Sequence, residues 1–126
     1  MELSKYKKLQ DEVVYYYGFR LPPDDETRVV ISQRTNSGFQ PLPEYREHVS
    51  HSNGFEWGYE GSGPAQLAFA LLYNVTDDKE VSLEYYQRFK VAYVSRQPMD
   101  GGWKTTDTEI ADWLEKEIKE TAPLRK

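Results

Sequence analysis

The chain has 126 residues, close to the ~150 of a typical domain, so it is long enough for one hydrophobic core and too short for two. Hydrophobic residues make up 38% of it and include ten tyrosines, so tyrosine rings must supply part of the core or part of a binding face. Sixteen basic against 21 acidic residues leave a net charge of −5, and cysteine is absent; this disfavours a nucleic-acid binder built on a basic face and excludes disulfides, thiolate metal sites and a cysteine nucleophile.

In chain order, Met1 to Gln10 carries only a weak helical face, and residues 1–12 read equally as a flexible start. Val13 to Tyr17 is β-branched and aromatic, which predicts a strand closed by Gly18. Leu21 to Glu26 contains two prolines that fit no ladder and reads as a loop. Arg28 to Gln33 predicts a second strand, Asn36-Ser37-Gly38 a hairpin turn, and Phe39 to Leu42 a returning third strand. Residues 43–63 have no periodicity and are rich in His, Glu, Ser, Asn, Gly and aromatic residues, the character of a functional or disordered loop.

A helix is predicted from Pro64, with Gln66 placed to reach back toward the cap. Leu67, Ala68, Leu71, Leu72 and Val75 form one stripe and Phe69, Ala70 and Tyr73 the other, so this helix is apolar all round and belongs in the core. A second helix is expected to open at Asp77, with Glu80 completing a capping box and Ser82, Tyr85, Tyr86, Phe89, Ala92 and Tyr93 on one face. That tyrosine face suits a core or a homodimer seam. Trp103 to Thr105 reads as a short edge strand. Thr106 to Glu109 is a capping box before the amphipathic stripe Ile110, Trp113, Leu114 and Ile118, and residues 122–126 read as a flexible tail. The expected fold is therefore α+β: one domain over residues 1–126, with an antiparallel sheet of three to four strands packed on a buried central helix and two amphipathic helices. The longest apolar run, Leu67 to Tyr73, has seven residues, so no membrane span is expected and a cytoplasmic protein is.

The densest segment is Gly54-Phe55-Glu56-Trp57-Gly58-Tyr59-Glu60-Gly61-Ser62-Gly63-Pro64-Ala65, which ends where the buried helix begins. Flexible glycines before a helix start leave backbone N–H groups free to meet an anion, with Glu60, Gly61, Ser62 and Gly63 around it and Trp57 and Tyr59 as walls. The same glycines equally serve close backbone approach of the helix to the core. Gly58 and Gly63 have the spacing of a phosphate loop, but Pro64 and Ala65 replace its lysine and hydroxyl residue. Ser62 lacks the flanking glycines of a nucleophile elbow. His48, His51 and Glu56 are the weak candidates for a metal-dependent hydrolase. Extended backbone would turn Phe55, Trp57 and Tyr59 inward and Glu56 outward.

The string Gly54-Phe55-Glu56-Trp57-Gly58-Tyr59-x-Gly61-Ser62-Gly63-Pro64-Ala65-x-Leu67-Ala68-x-Ala70-Leu71-Leu72 resembles the core of a small family known only as a domain of unknown function. Tyr17-Gly18 with Arg20, Leu42-Pro43, Tyr86-Gln87-x-Phe89-Lys90, and Trp103 to Thr105 leading into Trp113-Leu114 extend the likeness. The resemblance implies that loop and helix act as a unit, and that the chain belongs to a virus or mobile element. It brings no established activity and no cofactor. The expected function is a non-catalytic module binding an anionic small molecule or acidic group at the GYxGSGP loop. The alternative is an accessory protein that meets a host partner through its acidic 44–60 surface and tyrosines.

Overall fold

The computed structural model describes residues 12–23, 26–35 and 37–121, so the expected terminal tails, apart from Glu12, lie outside the described residues, as does Asn36 of the hairpin turn. Four antiparallel strands, β1 (Val14–Leu21), β2 (Thr27–Arg34), β3 (Phe39–Pro41) and β4 (Trp103–Thr106), form one sheet in the order β3-β2-β1-β4. The expected meander supplies three of them. The short edge strand expected at Trp103 to Thr105 forms as β4, one residue longer, and pairs Tyr16 with Thr105 and Gly18 with Trp103.

β1 runs three residues beyond Gly18, where a strand end was expected. Gly18 stays in the ladder because the Trp103 indole lies flush against it, where any side chain would stand. Glycine here is a close-approach residue within the sheet. Alternation along β1 turns Val14, Tyr16 and Gly18 inward and leaves Tyr15, Tyr17 and Phe19 half-buried on the opposite face. The register places Val30 inward opposite Gly18, and Val29 and Ile31 outward opposite Phe19 and Tyr17.

Three helices follow: α1 (Ser62–Thr76), α2 (Lys79–Ala92) and α3 (Asp107–Thr121), with a 3-10 turn at Val94–Arg96. α1 starts two residues before Pro64, which is tolerated within the first turn because an N–H there has no intrahelical acceptor. Asp77 closes α1 rather than opening α2: it takes a left-handed conformation at φ 52° and its N–H donates to the Tyr73 carbonyl. The α2 cap is the next residue, Asp78, whose Oδ1 accepts from Val81 N at 3.1 Å. α2 also ends earlier than Pro98, and its Ala92 is exposed. At α3 the expected capping box forms, with Glu109 N donating to Thr106 Oγ1 at 3.1 Å.

One core joins Val14, Tyr16 and Val30 of the sheet to Leu67, Leu71 and Leu72 of α1, Tyr85 and Phe89 of α2 and Ile110 and Leu114 of α3. The α2 tyrosine face points into the core through Tyr85, with Tyr86 and Tyr93 half-buried beside it. The chain is an α+β single domain, and no helix among the described residues is long and apolar enough to cross a membrane.

Candidate anion-binding site at the start of α1

From Leu42 to Gly61 the chain has neither helix nor strand, yet it is firmly tied to α1. The tie is Gln66. Its side chain is fully buried: Oε1 accepts from His51 N at 2.7 Å, while Nε2 donates to the carbonyls of Glu44 at 2.8 Å and Val49 at 2.7 Å. A buried amide with all these bonds made is a satisfied one. It pins the loop to the helix, in place of the capping role expected from its position.

The aromatic alternation of the central motif holds for two residues and then breaks. Trp57 is completely buried, donates from Nε1 to the Gly101 carbonyl at 2.8 Å and meets Trp103 edge-on. Gly58 then adopts φ 91°, with the Met99 backbone where a Cβ would project, and donates to the Val94 carbonyl at 3.1 Å. That left-handed turn sends Tyr59 outward, where its ring lies over Gly61. Glu60 and Ser62 face solvent, Gly61 is half-buried and Gly63 is buried. Of the expected ligand residues, Tyr59, Glu60, Gly61 and Ser62 thus share an accessible rim, whereas Trp57 is interior.

Two residues that the loop motif does not contain complete the geometry. Arg20 ends the inward face of β1 and Arg28 stands opposite it on β2. Both converge on Glu56: its Oε2 pairs with Arg28 Nε, and its Oε1 lies 3.6 Å from Arg20 Nη2 and accepts from Trp57 N at 3.3 Å. Glu56 is seated on the first turn of α1, for a Cβ on Gly63 would lie 2.5 Å from the Glu56 Cβ. The Arg20 guanidinium lies 4.7 Å from the Trp57 ring centroid, bonds through Nη2 to the Met99 carbonyl, and keeps Nε and Nη1 buried without a hydrogen-bond partner. Its side chain is only 6% exposed. A signal for this pair existed in the sequence: antiparallel strands joined by a short proline turn bring arginines at 20 and 28 opposite each other, and two such cations call for an anion.

α1 itself opens after Gly61, its N-cap residue, with no side-chain cap and no acid in its first turn. The positive end of a helix, two guanidinium groups and one carboxylate therefore meet at one place. Beside it, a cleft of about 370 Å³ opens between Arg28, Leu42, Glu44, Asn53 and Phe55. None of the six expected ligand residues lines this cleft.

The metal candidates are not brought together. His51 Nε2 pairs with the Tyr86 hydroxyl at 2.7 Å, His48 packs against Tyr73, and Glu56 is held by the arginines. No group of three metal-capable side chains forms among the described residues. Of the acids on the expected 44–60 surface, Glu47 and Glu60 are exposed and Glu44 is half-buried.

A family model described as a family of unknown function, DUF6166, matches residues 16–116. The chain belongs to this family. The match begins at Tyr16 of β1 and ends within α3, so the DUF6166 domain includes all of the sheet but the first two residues of β1, the pinned loop and the Arg20–Glu56–Arg28 cluster. No curated protein and no solved structure matches the chain.

Proposed function

We propose that this protein is a non-catalytic binding module that receives an anionic group of a small molecule, or an acidic side chain, between Arg28 and the exposed start of α1. The observation that carries this reading is the charge at one point: among the described residues, Arg20 and Arg28 both pair with the Glu56 carboxylate beside an uncapped helix start, in a chain whose net charge is −5. Guanidinium forks bind carboxylate and phosphate in two-point geometry, and helix starts bind the same groups. Arg20 lies too deep to meet solvent and holds Glu56 from behind, while Arg28 is 30% exposed at the mouth of the cleft. Glu56 occupies part of the positive region, so an incoming anion competes with it. Ser62 and the N–H groups of Gly61 and Ser62 offer the second set of donors, with Tyr59 beside them.

Titration with inorganic phosphate, followed through the backbone amide resonances of Gly61 to Ala65 and by calorimetry, tests the reading. Glu56→Gln is expected to bind at least tenfold more tightly, because it removes the carboxylate that competes for Arg28, and Arg28→Ala to lose binding. Amides that stay unmoved in both the natural chain and Glu56→Gln would leave the cluster a purely internal ion network and sink the proposal.

A further inference from the structure

The outer face of the sheet carries a second surface, which meets the cleft beside the α1 site only at its Val29 and Ile31 edge. Tyr15, Tyr17 and Phe19 of β1, Val29 and Ile31 of β2 and Phe39 of β3 share it by register. Tyr17 pairs edge-on with Phe39 at 6.0 Å and lies beside Tyr15 at 6.4 Å, so the rings form a continuous slab. None of these residues belongs to the core, and all three helices pack on the other side. Phe39 is 59% exposed. An antiparallel sheet with one wet face normally turns polar residues to it, and on this one Thr27, Gln33, Lys104 and Thr106 are outnumbered by aromatic and aliphatic side chains.

Charge on this face is the second observation. No Asp or Glu occurs in any of the four strands, although the chain holds 21 of them. Arg20, Arg28 and Arg34 all fall on the inward register, which leaves Lys104, on the edge strand, as the charged residue of the outer one. Aromatic, aliphatic and almost uncharged, the face differs from the acidic remainder of the molecule in the way interface cores differ from open surface.

We propose that this face is a self-association interface, on which a second copy of the chain docks sheet to sheet about a two-fold axis. A copy brings a face free of carboxylates against another, so the net charge of −5 on each chain is kept to the periphery, and Lys104 sits at the rim where its ammonium stays in water. A nucleic-acid strand on the same aromatics would have one lysine to meet its phosphates and an acidic molecule behind it. Eight-residue strands at ~3.3 Å per residue and ~4.8 Å spacing give a footprint of about 26 by 15 Å, about half the area per partner of a standard interface, which suits a weak, transient dimer rather than an obligate one.

Sedimentation equilibrium of the full chain from ~1 μM to ~1 mM reads the result directly. The expected outcome is a concentration-dependent dimer whose dissociation constant rises at least tenfold in Ile31→Glu and in Phe39→Ser. The second variant changes a residue outside the core, so loss of the dimer there with an unchanged circular dichroism spectrum cannot come from misfolding. A monomer at every concentration would overturn the proposal, as would a dimer indifferent to both substitutions. So would a dimer that appears only after deletion of residues 2–11, because the face would then be filled by the chain itself. Fluorescence quenching of the monomer by a single-stranded oligothymidine, lost in Phe39→Ser, would assign the face to nucleic acid instead.

Discussion

Gly58 and Trp57 stand side by side and are held by opposite constraints. At Gly58 the backbone has φ 91° and the Met99 main chain presses on the place of a side chain, so Gly58→Ala adds both strain and a clash. A loss of more than ~1 kcal/mol is expected from the conformation alone, measured as the denaturant midpoint. Trp57 fills a sealed site between Trp103 and Arg20, and Trp57→Ala is expected to cost about 3–5 kcal/mol in the same measurement. The Arg20 guanidinium would lose the ring it lies on as well. Both residues were visible in the sequence as members of one motif. What alternation along the chain did not reveal is the left-handed turn at Gly58, which places Trp57 inside and Tyr59 outside.

The elements were legible wherever local chemistry decides. Two β-branched and aromatic runs, the pairing of the second and third strands and the Thr106 to Glu109 box all formed. Boundaries drifted where two residues compete for one role, as Asp77 and Asp78 do, or where tertiary contact overrides propensity, as Trp103 does in keeping Gly18 within β1. The candidate site was half legible. Its loop announced itself through glycines and aromatics, but the arginines that give it charge lie some 30 residues upstream, and their convergence on Glu56 exists only after the hairpin has packed against the loop. Gln66 shows the same limit, for its three partners are spread over residues 44–51. Gln66→Leu leaves those three backbone groups without partners, each worth about 1–3 kcal/mol when buried. Hydrogen exchange at His51 and its neighbours is expected to accelerate in that variant before the helices are affected, a pattern that reports a loop released from an intact core.

At the scale of the whole molecule, alkaline pH probes the union of sheet and helices. Tyr16 is 1% exposed and donates to Asn74 Oδ1 of α1 at 2.6 Å. Burial first, then the nearby Asp107 carboxylate, push its hydroxyl well above the ordinary tyrosine range. Tyr45 and Tyr93 are raised as well, again chiefly by burial. The folded state therefore holds these protons more tightly than the unfolded chain, whose tyrosines titrate near ~10. Their contribution is complete below that pH and is lost progressively above it. The urea midpoint is expected to be flat from pH 7 to ~9 and to fall between ~10 and ~11, and Tyr16→Phe, which cannot ionise, is expected to have a shallower fall.

The pairing of β4 with β1 also governs the order in which the fold can be completed. Tyr15 meets Thr106, and Val14 N donates to Asp107 Oδ1, so partners more than ninety residues apart close the sheet. Until the last quarter of the chain has been synthesised, one flank of β1 has no strand to pair with, and its row of open N–H and C=O groups, flanked by tyrosines on both sides, is a template for any other extended segment. Such distant closure is slow relative to hairpin formation. A nascent chain therefore spends its most vulnerable interval with β1 and β2 zipped and the other flank of β1 bare, and the four residues Trp103–Thr106 act as the stopper that ends it.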